Sequence, residues 1–60
     1  MAAAVAALPD DQRRVLIMRD VQGYPGREVA NALGLSLAAM KSRLHRARFA
    51  VQESLAEPSP

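Results

Sequence analysis

Cysteine and tryptophan are absent from the 60 residues, and tyrosine, phenylalanine and histidine occur once each. Without cysteine no disulfide can staple the chain, and a zinc site of the usual Cys/His kind lacks its donors. Tyr24 and Phe49 are the only aromatics, so ring contacts cannot dominate the core. No apolar run approaches the roughly 20 residues of a membrane span. The opening Met1–Ala7 lacks the basic start and long apolar stretch of a signal peptide. A Met placed directly before this Ala-rich stretch reads as the start of a piece cut from a longer protein. Paired carboxylates in a pocket pattern and a Gly-rich phosphate loop are missing too, and Gly23-Tyr24-Pro25-Gly26 does not match such a loop. Enzyme is therefore the weakest class, and no cofactor is implied. So short a chain buries only a small core and is expected to rest on helix packing and partners. The lack of cysteine fits a cytoplasmic protein.

What is present is uneven charge. From Met1 to Leu35, Arg13, Arg14, Arg19 and Arg27 balance Asp10, Asp11, Asp20 and Glu28. From Ser36 to Ala50 there are Lys41, Arg43, Arg46 and Arg48, with His45 and no acid. A polyanion-binding element needs such a concentration, although a solvated helix face has the same look.

The pattern predicts four helices, at about 1–7, 10–21, 27–33 and 36–54, in one domain over 1–55, with 56–60 as a disordered tail. The first stops at Leu8-Pro9, because a residue before proline is pushed out of the helical region. Pro9, Asp10 and Asp11 suit the start of the second. Its apolar residues Val15, Leu16, Ile17, Met18 and Val21 make a stripe wider than one face needs. Such faces mostly pack inward, and an outer edge could dock a partner. Gln22–Gly26 reads as a turn. Gly34 ends the third helix in the left-handed conformation, and Ser36 caps the fourth. Along the fourth, Leu37, Met40, Leu44, Ala47, Val51 and Leu55 recur at spacings of three and four and form the core stripe. Opposite lie Ala38, Ser42, His45, Arg46 and Phe49, with Lys41 on the flank.

Two helices joined by a tight glycine turn have the geometry of a helix-turn-helix, with Ala30 small enough for the helices to cross closely. The expected fold is therefore all-α, a small bundle containing a helix-turn-helix of the winged-helix-like DNA-binding class but with no wing. Its second helix would offer its polar face to the major groove.

Specific blocks go further. Leu8-Pro9-Asp10-Asp11-Gln12-Arg13, Val15-Leu16, Arg19-Asp20, Gly23-Tyr24, Glu28-Val29-Ala30, Leu33-Gly34 and Met40–Arg48 resemble the C-terminal domain, region 4, of the sigma-70 family. The match is best to the extracytoplasmic-function (ECF) branch and covers about Leu8 to Val51. The run Lys41-Ser42-Arg43-Leu44-His45-Arg46-Ala47-Arg48 is its most specific part. This resemblance implies a protein that binds the −35 element of promoter DNA while docking the β flap of RNA polymerase, commonly under the control of an anti-sigma factor. It places Lys41, Ser42, His45 and Arg46 against DNA, with Arg19 approaching from the second helix. Ser36 and the amides beside it can hold a phosphate. Arg43 and Arg48 serve phosphates or surface ion pairs. Val15, Met18 and Phe49 are the candidates for contact with a protein partner.

Two positions depart from the family pattern. Pro25 stands where a capping Ser or Thr is usual, which should leave the third helix less firmly capped. Phe49 stands where a charged residue is common; packing against the N-terminal helix is favoured over docking a partner, since a small fold readily buries its only Phe. A LuxR-type or other dimeric helix-turn-helix regulator uses the same motif, but no dimerisation segment is evident, so a monomer is expected. A module used chiefly for protein interaction is the rival from another class. A lone histidine makes no metal site.

Overall fold

A computed structural model describes residues 2–56, with side-chain burial given for 3–54. Four α-helices follow in order: α1 Ala2–Ala6, α2 Asp10–Leu16, α3 Gly26–Leu33 and α4 Leu37–Ala56. There is no strand among the described residues. The expected bundle is therefore present, with α4 starting one residue later and ending two residues later than anticipated. The tail was expected at 56–60; Ala56 belongs to α4 instead, and 57–60 lie outside the described residues, as does the side chain of Leu55.

The largest departure is at the end of the second helix. Beyond Leu16 the chain does not continue as α-helix but widens into a π turn over Ile17–Val21. Its hydrogen bonds span five residues or more: the Gln22 amide donates to the Ile17 carbonyl at 2.8 Å, and Tyr24 to Met18 at 2.9 Å. Gly23 follows with φ +79°, a left-handed residue that releases the chain toward α3.

The predicted helix signals at the central turn are realised in full. Gly34 sits at φ +67°, its amide donating to Asn31 and that of Leu35 to Ala30, which closes α3 in a Schellman arrangement. The Ser36 hydroxyl oxygen then accepts from the Ala39 amide at 3.1 Å and caps α4. Pro25 precedes α3 with no side-chain cap, as its chemistry requires. Gly26 is the first residue of α3, and a Cβ there would lie 2.8 Å from the Met40 side-chain terminus. The Met40 methyl occupies that space, so a side chain at this position would require the methionine terminus to move.

Among the described residues nine apolar side chains form the core: Leu8, Val15, Leu16, Val29, Ala30, Met40, Leu44, Ala47 and Val51. Four of them are the predicted stripe of α4, which packs against α1, α2 and α3. Leu8, read from the sequence only as a helix terminator, is buried with them. Other expectations need correction. Leu37 is 42% exposed and Val21 73% exposed, so each apolar stripe loses one end to solvent. Phe49 is 58% exposed and does not pack within the domain. Helical phase puts it opposite Met40, Leu44, Ala47 and Val51, and the core is already closed by aliphatic side chains.

Candidate nucleic-acid interface

The helix-turn-helix consists of α3, the Gly34–Ser36 turn and α4. Burial of the α4 stripe fixes the rotation of that helix, and so decides where every polar residue points. Ala38, Ser42, His45 and Arg46 are exposed, as expected, and Phe49 is exposed with them. On one flank, Leu37, Lys41, His45 and Arg48 line an open groove of about 510 Å³. Its remaining walls are Arg19 from the π turn, Gly26 and Arg27 from the start of α3, and Met40 and Leu44 below. The apolar floor holds the basic side chains around a single depression.

Three sequence-predicted residues, Arg19, Lys41 and His45, thus meet in the groove. Ser42 and Arg46 stand beside it on the outward face of α4. Ser36 lies at the helix start, where its oxygen is engaged as a cap. Arg27 was missed, because its charge is balanced locally in sequence by Glu28 and only the fold carries it next to Lys41. Arg48 was read as a phosphate or ion-pair residue; it lines the groove and is paired with Asp20.

Ion pairs organise the two flanks. Arg48 presents its fork to Asp20, with Nε donating to Oδ2 at 2.9 Å and Nη2 to Oδ1 at 2.5 Å. That hydrogen bonding holds the Asp20 carboxyl below its ordinary value against the opposing effect of burial, with the charges of Arg48 and Arg19 adding to it. The same bond raises Arg48 above its ordinary value. On the opposite flank Arg43 Nε donates to Asp11 Oδ2 at 3.0 Å, and this bond is the main cause of a lowered Asp11 carboxyl. Arg43 is therefore not brought to the groove; it takes the ion-pair alternative and ties α4 to α2. Arg13 pairs with Asp10 on α2 itself.

The expected partner-facing set is also rearranged. Val15 has no exposed surface, so it belongs to the core and is withdrawn as a contact residue. Met18 is half-buried and Phe49 exposed, and these two remain available. Among the described residues no three metal-ligating side chains cluster, and no helix is long and apolar enough to cross a membrane.

An all-α helix-turn-helix with a basic groove along its second helix defines a DNA-binding module of that class. The family model described as sigma-70, region 4, matches residues 1–50, and the chain belongs to that family, with relatives of the ECF type. It is 43% identical over 51 residues to a probable RNA polymerase sigma factor, RfaY, of Xanthomonas campestris pv. campestris, covering 85% of this chain and 13% of that protein. It is 46% identical over 50 residues to the ECF RNA polymerase sigma factor SigG of Mycobacterium tuberculosis, covering 83% of this chain and 14% of the relative. With the ECF sigma factor SigE of Mycolicibacterium smegmatis it shares 32% identity over 59 residues, covering 98% and 23% respectively. The chain thus spans less than a quarter of the length of these relatives. The non-catalytic reading of the sequence agrees with this membership.

Proposed function

We propose that this domain reads the −35 element of a promoter as a monomer and thereby places RNA polymerase for initiation. The observation that carries the reading is the convergence of Arg19, Arg27, Lys41, His45 and Arg48 from three elements on one groove beside the exposed face of α4. In this reading the N-terminal half of α4 enters the major groove. Ser42, His45 and Arg46 approach base edges, where Arg donates to guanine. Arg19, Arg27, Lys41 and the Ser36 hydroxyl hold the phosphates on either side. Polymerase, docking through its β flap, supplies the affinity that so small an interface lacks, and the protein acts in the cytoplasm.

An anti-sigma factor is the second partner in this reading. Phe49 favours it: a large apolar side chain exposed on a helix whose core is already filled is a ready anchor for a protein surface.

Selection of duplexes from a random DNA pool at low salt tests the proposal. A single asymmetric enriched motif is expected. A palindrome would assign the domain to a dimeric regulator instead. Lys41→Ala and Arg46→Ala should then lose promoter-dependent transcription while the helical content by circular dichroism is unchanged.

A further inference from the structure

Among the described residues, one basic wall of the groove is already occupied. Arg19, Arg27, Lys41 and His45 have no carboxylate partner there, whereas Arg48 is held bidentately by Asp20 at 2.9 and 2.5 Å. A carboxylate and a phosphate offer the guanidinium fork the same pair of oxygens. The Asp20 side chain is 33% exposed and that of Arg48 52% exposed, so both can be reached from solvent. Asp20 itself stands on the π turn, next to Arg19 in sequence, and reaches the groove only through its bond to Arg48.

We propose that Asp20 is an internal competitor of DNA phosphate for Arg48, and so sets how tightly the groove binds a duplex. The inference rests on the DNA-reading function above. A phosphate arriving at Arg48 must either displace Asp20 or meet a guanidinium already neutralised. In both cases Arg48 contributes less than a free arginine, and the carboxylate adds a repulsive charge. An exposed ion pair is weak enough to exchange, so the competition is between comparable partners. Phosphate contacts at Arg27 and Lys41 meet no such rival among the described residues, and Arg19 feels the Asp20 charge without a hydrogen bond to it.

Asp20→Asn keeps the size of the side chain and one acceptor oxygen for Arg48, and removes the charge alone. Binding of a short mixed-sequence DNA duplex, measured over a range of salt by fluorescence anisotropy, then reads the effect. The expected result is tighter binding, about five- to tenfold near 0.1 M salt, with a log–log salt slope steeper by about 0.9, as for one more neutralised phosphate. In an Arg48→Ala background the same substitution should leave the slope unchanged. Helical content by circular dichroism checks the fold, and Asp20→Ser serves as a second neutral variant should the asparagine disturb the π turn. If the parent chain binds the duplex and both neutral variants bind equally or more weakly, Asp20 positions Arg48 and the competition is overturned. If neither the parent nor the variants bind, the DNA-reading function fails and takes this inference with it.

Discussion

Val15 and Val29 have no exposed surface and are the largest fully buried side chains of the described residues. A folded domain of 60 residues has a stability of only roughly 3–9 kcal/mol. Val29→Ala should therefore cost about 2 kcal/mol through lost transfer energy and the space left behind, a large part of the whole. Urea unfolding followed by circular dichroism reads this directly. Phe49→Ala should behave in the opposite way, shifting stability by less than about 0.5 kcal/mol, because a side chain 58% exposed has little packing to lose. A larger loss would return Phe49 to the interior of the fold. The contrast also marks what residue type can reveal. Helical phase correctly set Phe49 off the core stripe, and the expectation of burial came only from its size. Leu8 went the other way: its neighbour Pro9 drew attention to helix termination, while the leucine itself closes the core. Nothing in the sequence signals the tight approach of Gly26 to Met40, since it exists only once α3 and α4 are packed.

Elements whose ends depend on residue chemistry were legible, and those that depend on packing were not. Gly34 and Ser36 mark the turn because few residues can adopt left-handed backbone or supply a capping oxygen. The π turn at Ile17–Val21 leaves no comparable mark, as the run Val15–Met18 is apolar under either helical pitch. Its consequence is electrostatic, since it carries Arg19 to the groove and Asp20 to Arg48. Across the elements, α4 is joined to α2 by Arg43–Asp11 and to the π turn by Arg48–Asp20. Both carboxyls titrate below their ordinary value, chiefly because of the arginine hydrogen bonds. In the unfolded chain they take up protons first, so acid favours unfolding. The stability they contribute is full above the usual aspartate value of about 3.9 and is lost as pH falls through the lowered folded values. The urea midpoint should accordingly fall below about pH 4. Replacing both residues, as Asp11→Asn with Asp20→Asn, should flatten that part of the profile; an unchanged profile would assign acid sensitivity to other carboxyls.

At the scale of the whole molecule, the two flanks of α4 differ although the sequence between Ser36 and Ala50 is uniformly basic. That segment read equally as a polyanion-binding element or a solvated face, and linear charge cannot distinguish a cation facing the groove from one turned toward an acid on another helix. Lys41 lines the groove with Arg19 and Arg27, whereas Arg43 is turned toward Asp11 on α2. About four to six neutralised phosphates would give the parent chain a log–log salt slope of roughly −3 to −5 in duplex binding. Lys41→Ala should make that slope shallower by about 0.9, the loss of one phosphate contact. Arg43→Ala removes the same formal charge yet should leave the slope nearly unchanged, because its guanidinium is already neutralised on the far flank. Anisotropy titrations of both variants against one duplex separate the cases. Equal changes would mean that DNA responds only to net charge, or lies across both flanks, and the groove would lose its claim as the reading face. A change in Lys41→Ala alone would orient α4 on the duplex, with the groove side toward the phosphates and the Arg43 side toward solvent.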